Sequence, residues 1–232
     1  MNKCARRDLV SSGHCNNLSK FLQGRHPSKQ YVVGMNSEIE IVNTLDPKCR
    51  ELEALGYVII GQSWGAHLRL NDPVDLGLYS EKISGLQTSG YRIESLSLGL
   101  ANQVLELEVV NNPDYPYTPA TAHAMPSLGS TKGLWKPGNW VFGAFKDGLL
   151  VGVVTPSKGT KEVNIDFGSV KKEHRGLGVG SAIASLAIST FANLGERLFS
   201  TGGAAVNKAS LATVRSLGFV VDEQWRSYRR PN

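Results

Sequence analysis

One short run of glycines constrains this chain more than anything else in it. His174-Arg175-Gly176-Leu177-Gly178-Val179-Gly180-Ser181 stands between two segments of different periodicity. Before it, Val163, Ile165 and Phe167 alternate with Glu162, Asn164 and Asp166, which predicts a strand over 162–170. After it, Ile183, Leu186, Ile188 and Phe191 predict a helix over Ser181–Leu194. A strand that turns through glycine into a helix leaves the helix's first N–H groups unpaired and lets the backbone approach a ligand closely. Such a turn is a cradle for an anion, phosphate above all.

The run fits neither of two common nucleotide loops. It lacks the Gly-Lys-Ser/Thr ending of a P-loop, and its glycines are spaced Gly-x-Gly-x-Gly rather than Gly-x-Gly-x-x-Gly. A ligand-free glycine turn is the plain structural alternative.

The rest of the chain reads as a mixed α/β layered domain. Residues 1–30 are polar and aperiodic, a tail. Tyr31–Gly34 is a short strand, Cys49–Leu55 a helix begun at Asp46-Pro47, Tyr57–Ile60 a strand with His67–Leu70 as its hairpin partner, and Leu76–Thr88 a helix. A second unit starts near Ser89: a strand over Tyr91–Leu96, a helix over Leu98–Val110, then a long Pro/Ser/Thr/Gly-rich loop over Asn111–Lys136 with a short helix near His123. Asp147-Gly148 between two apolar runs predicts a hairpin of Trp140–Phe145 and Leu149–Thr155. After the glycine run come a strand over Arg197–Ser200, a helix over Ala209–Leu217, a strand over Phe219–Val221 and a closing strand over Trp225–Arg229. The division is thus 1–30, 31–88 and 89–232.

Composition narrows the function. The net charge of +5 is mildly basic and suits an anionic small molecule; the absence of a long Lys/Arg run argues against nucleic acid. Cys4, Cys15 and Cys49 match no zinc spacing and no disulfide framework, so no metal is expected. No apolar stretch reaches membrane-spanning length and the N-terminus is not a signal peptide, so a cytoplasmic protein is expected.

Arg175-x-x-Gly178-x-Gly180 resembles the pyrophosphate signature of the GNAT N-acetyltransferase superfamily. Val170 matches the family's strand residue before this loop, and Asn207…Ser210…Leu217-Gly218-Phe219 resembles its second motif. The resemblance covers about 89–228. It implies the GNAT fold, acetyl-coenzyme A as co-substrate, and an amine acceptor on a small molecule or a protein. It also implies roles. Backbone N–H groups of Arg175, Gly176, Leu177, Gly178, Val179, Gly180 and Ser181 would bind pyrophosphate. Backbone of Gly168, Ser169 and Val170 would pair with the pantetheine arm, with an N–H near Ser169 or Val170 for the oxyanion. Asn207 and Ser210 would meet pantetheine, and Lys171 and Lys172 either coenzyme phosphates or solvent. Members are often dimers.

For the chemistry, Asp166 is the candidate base and Glu162 and His123 candidate substrate residues. Tyr115, Tyr117 and Trp135 either wall an acceptor pocket or pin the loop. Many family members carry a Tyr four residues before the Gly of Leu-Gly-Phe; here that position is Val214, so Tyr228 is the candidate acid, with Ser210 or solvent as substitutes. This departure leaves room for a coenzyme-binding module without catalysis. Finally, Leu55-Gly56-Tyr57-Val58-Ile59 mirrors Leu217-Gly218-Phe219-Val220-Val221, so residues 31–70 resemble the closing half of a second GNAT-like unit.

Overall fold

Alternating apolar residues need a sheet face to bury them, and this chain builds one sheet of eight strands. The computed structural model describes residues 38–121 and 125–231. In chain order the elements are β1 (Ile39–Asn43), α1 (Lys48–Ala54), β2 (Val58–Arg69), α2 (Gly77–Thr88), β3 (Tyr91–Ser95), α3 (Ala101–Asn111), α4 (Leu128–Lys132), β4 (Phe142–Lys146), β5 (Leu149–Lys158), β6 (Val163–Val170), α5 (Val179–Asn193), β7 (Leu198–Ala204), α6 (Lys208–Ser216) and β8 (Val220–Arg229). The sheet order is β1-β8-β2-β7-β6-β5-β4-β3. Every pairing is antiparallel except β6 with β7, which the crossover through α5 makes parallel.

The two larger cores among the described residues flank the sheet. On one face Tyr79 and Leu86 of α2, Ile183, Ile188 and Phe191 of α5, and Val214 of α6 pack on Val151, Val154, Val163 and Phe199. On the other, Val104 and Leu107 of α3 pack on Phe145, Leu150 and Val153. The hairpin turn is as expected: Asp147 (φ 51°) and Gly148 (φ 80°) both take the left-handed conformation that suits the twist of β4 and β5.

The structure corrects the sequence reading at two places. Tyr57–Ile60 and His67–Leu70 are not hairpin partners; both lie along the twelve-residue β2. Phe219–Val221 and Trp225–Arg229 likewise merge into the ten-residue β8. Register shifts explain why each looked broken. Ile59 pairs with Tyr228 but Gly61 with Ser227, and Gly65 pairs with Glu223 but Ala66 with Val221, so Ile60 and Asp222 are extra residues in their strands. Bulges reset the alternation that a sequence reading depends on.

β2 lies between β8 and β7, so the first third of the chain is woven into the sheet rather than beside it. Tyr31–Gly34, the tail, Cys4, Cys15 and His123 lie outside the described residues. Among the described residues no helix is long and apolar enough to cross a membrane, and no cluster of His, Cys, Asp and Glu could hold a metal ion.

Candidate active site

The site forms where β6 and β7 part. Their pairing lasts three rungs, Val163 with Phe199, Asn164 with Ser200 and Ile165 with Thr201. Thr201 Oγ1 donates to the Ile165 carbonyl at 3.0 Å and closes the last rung. Beyond it β6 stays on β5 while β7 follows β2. Asp166 sits at the parting point. Thr155 pairs with Phe167 and Pro156 with Ile165, so Asp166 is the bulged residue of β6. Past the bulge, Lys171 N–H donates to the Val151 carbonyl at 2.8 Å. Because amides alternate along a strand, Ser169 also turns toward β5, while Gly168 and Val170 turn their backbone groups into the opening. Of the two residues expected near an oxyanion donor, Ser169 turns its N–H toward β5 and Val170 turns its own into the opening.

The glycine run stands beside this opening. Gly176 (φ 76°) and Gly178 (φ 82°) hold left-handed conformations that L side chains rarely adopt, and a Cβ on Gly176 would point into open space. Gly178 is the N-cap of α5, and no side chain caps that end. The first-turn N–H groups of a fifteen-residue helix thus face outward beside the turn. Ser181 Oγ donates back to the Gly178 carbonyl at 2.9 Å and steadies the turn. A shallow pocket of about 250 Å³ lined by Lys82, Ser89, Leu177, Gly178 and Ser181 opens between α2 and the loop.

Arg175 works for the protein rather than for a phosphate. Its Nε donates to the Val170 carbonyl at 2.8 Å, one terminal nitrogen to Asp114 at 2.7 Å and the other to Asn111 Oδ1 at 3.1 Å. Asn111 Nδ2 in turn donates to Ser169 Oγ at 2.7 Å. The guanidinium therefore fastens the end of β6 to the end of α3. Asn207 caps α6, accepting from Ser210 N–H at 3.0 Å.

Of the candidate chemical groups, Asp166 and Glu162 lie on β6 or just before it, and Asp166 accepts a hydrogen bond from Ser157 Oγ. Tyr228 is elsewhere. β7 and β2 separate its strand from β6. It is fully buried with Val42, Cys49 and Leu52, and its hydroxyl donates to Glu53 at 2.8 Å. Burial pushes its phenol up to about 12. That placement does not fit a proton donor at the opening, because β8 carries the ring into the packing of α1. Tyr115 and Tyr117 meet at a tilt in the loop after α3, their ring centres 5.6 Å apart, and Trp135 Nε1 donates to the Leu96 carbonyl at 2.7 Å, pinning the loop's far end.

Two groups escaped the sequence reading. One is the His67–Asp222 pair, separated by 155 positions and joined only by the pairing of β2 with β8. The other is Glu108, on the buried side of α3 one turn before Asn111. Burial raises its carboxyl from 4.5 to about 7. The only sequence signal was a charge on an otherwise apolar helix stripe. The folded chain holds that proton more tightly than the unfolded chain, so stability falls as pH rises from 4.5 to about 7. Glu108→Gln is expected to stabilise the protein by about 1–2 kcal/mol above that range and to change little below it. Urea denaturation at both pH extremes checks this; an equal gain at both would contradict it.

A sheet opened between two parallel strands, with a glycine turn and an uncapped helix at the opening, defines an α/β protein with a candidate ligand site at the parting of its strands. The acetyltransferase (GNAT) family model matches residues 104–219, half of the chain. The chain belongs to that family. Among solved structures it is similar to a GCN5-related N-acetyltransferase from Sphaerobacter thermophilus (TM-score 0.64, 17% identity, 84% of this chain and 60% of that one). It is also similar to a tandem GNAT protein from the clavulanic acid biosynthesis pathway (TM-score 0.55, 20% identity, 82% and 62%). A third is a GCN5-related N-acetyltransferase-like protein from Streptococcus suis (TM-score 0.52, 18% identity, 82% and 71%). The chain thus spans about three fifths of the length of the first two. No curated protein matches it in sequence.

Proposed function

We propose that this protein transfers an acetyl group from acetyl-coenzyme A to a primary amine. The observation that carries the reading is the parting of β6 and β7 beside the uncapped end of α5. The backbone of Arg175–Ser181 would hold the pyrophosphate, favoured by the helix's partial positive charge. Gly168 and Val170 would pair with the pantetheine amides as an added strand, and Asn207 would meet the same arm from β7's end. Acetyl-coenzyme A supplies the activated thioester. At the opening the amine nitrogen attacks the carbonyl carbon, and the backbone N–H of Gly168 or Val170 would stabilise the oxygen's developing charge. The carbon–nitrogen bond forms, the carbon–sulfur bond breaks, and the sulfur leaves as a weakly basic thiolate that takes a proton. Asp166, at the bulge, would take a proton from the ammonium and so free the nitrogen's lone pair for the attack. Glu162 would lie at the acceptor's edge.

Residues 31–70 would be a partial copy of the family's closing half, of which 38–70 lie within the described residues. What supports this is a shared ending: Tyr57 N–H donates to the Leu52 carbonyl and Phe219 N–H to that of Val214, each after a left-handed glycine, Gly56 (φ 80°) and Gly218 (φ 88°).

A second reading, a coenzyme-binding module without catalysis, is favoured by Val214, which is buried in the core where relatives carry an acid. Thiol release from acetyl-coenzyme A separates the two. Release that depends on an added primary amine supports transfer; binding of the coenzyme without release to any of a broad amine panel supports the module.

A further inference from the structure

The pocket beside the glycine run is walled by a helix that precedes the family match. α2 ends at Thr88, before the matched residues 104–219 begin, yet it packs on α5 and lines the pocket of about 250 Å³ together with the loop. Glu81, Gly85 and Ser89 recur every fourth residue, with Lys82 beside them, so one face of α2 meets Leu177 and Gly178. Pockets that enclose a whole small molecule measure about 300–1,000 Å³, so this one suits one end of a longer ligand.

Three features of its lining are not explained by the packing of the chain. Gly85 stands inside α2, where glycine is a poor helix former, and a Cβ there would meet nothing within 4 Å. Contrast Gly152, where a Cβ would press on Ile183 and Val179 at 3.0 and 3.1 Å. Leu177, between two glycines of the turn, is an apolar side chain left 58% exposed. Lys82 is half-buried, and its ammonium has no hydrogen bond or ion pair among the described residues. A second ammonium is held at the pocket's end, where Lys146 Nζ donates to the Ser89 carbonyl at 2.8 Å. A floor without a side chain, an apolar wall and unneutralised positive charge together suit a flat ring that carries phosphate.

We infer that this pocket seats the nucleotide end of acetyl-coenzyme A, with the adenine over Gly85 and Leu177 and the ribose 3′-phosphate at Lys82. The inference rests on the acetyl-transfer reading and deepens it. Gly178 belongs both to the pocket and to the loop that would hold the pyrophosphate, so the adenosine joined to that pyrophosphate starts at the pocket's edge. The ring would cover Leu177 and take its apolar surface out of water. Glu81, on the same face of α2, has a carboxylate that can accept from the ring's exocyclic amino group. Lys82 would pair with the 3′-phosphate as a point charge, in a field to which Lys146 adds. α2 would thereby make the protein select the coenzyme that carries its 3′-phosphate. The site acts by binding alone; no bond is made or broken there.

The test titrates the full chain in a calorimeter with acetyl-coenzyme A and with its 3′-dephospho form. The wild type is expected to prefer the complete coenzyme by about tenfold, the worth of one charge-assisted contact, and by less at high salt. Lys82→Gln is expected to bind the complete coenzyme about tenfold more weakly and the dephospho form as before, so that the preference disappears. Gly85→Leu fills the floor with a better helix former, so the urea midpoint is expected to hold or rise while affinity for both forms falls by about tenfold or more. No preference in the wild type, or a preference that survives Lys82→Gln, would overturn the placing of the 3′-phosphate. Wild-type affinity in Gly85→Leu would overturn the seat of the ring. A folded wild type that binds neither form would overturn the acetyl-transfer reading itself, a distinct failure, whereas equal binding of both forms leaves that reading standing.

Discussion

Phe199→Ala is expected to remove about 3–5 kcal/mol of folding stability, a large share of the roughly 5–15 kcal/mol that holds a domain together. Phe199 is fully buried in the larger core. It pairs with Leu68 on one side and with Val163 on the other. The void would open under the three rungs that join β6 to β7, the shortest pairing between neighbours flanking the opening. Neighbouring strands are fixed by their pairing with β5 and β2, so the cavity has little freedom to collapse. A urea midpoint shift with an unchanged slope measures the loss. A cost below about 1 kcal/mol would mean that the core under the opening is not packed as described.

Gly178→Glu is expected to lower affinity for acetyl-coenzyme A by at least about 100-fold, or roughly 2.7 kcal/mol. Three effects act together. The φ of 82° is one that a side chain strains to adopt. The new carboxylate would itself satisfy the open N–H groups of α5 and occupy their place. Its charge would repel pyrophosphate. In a thermal melt, acetyl-coenzyme A at 100 times the wild-type Kd stabilises the wild type by about 2.7 kcal/mol through linkage and raises its midpoint accordingly, but stabilises the variant by about 0.4 kcal/mol at most. An equal rise in both would remove the loop from the binding account.

The glycine run was legible because its chemistry is local. The strand, the turn and α5 are consecutive, and Gly176 and Gly178 do adopt the left-handed angles that only glycine takes easily. The hairpin at Asp147-Gly148 was legible for the same reason. What the sequence hid was produced by pairing between distant strands. Asp222 meets His67 only because β2 is inserted between β7 and β8, and the bulge at Asp222 interrupts the alternation that would have marked β8 as one strand. Tyr228 was misplaced by the same cause: read as a closing strand near the site, its strand lies two away from β7. Arg175 was legible as part of the motif, but not its task of tying Val170, Asn111 and Asp114 together, which needed the end of α3 in space.

Calorimetric titration of the wild-type protein with acetyl-coenzyme A tests the central claim most directly. One molecule of coenzyme bound per chain, with an affinity that Gly178→Glu removes, is the predicted result. A folded wild-type chain that binds none would contradict it and leave the opening between β6 and β7 as a feature of the sheet alone.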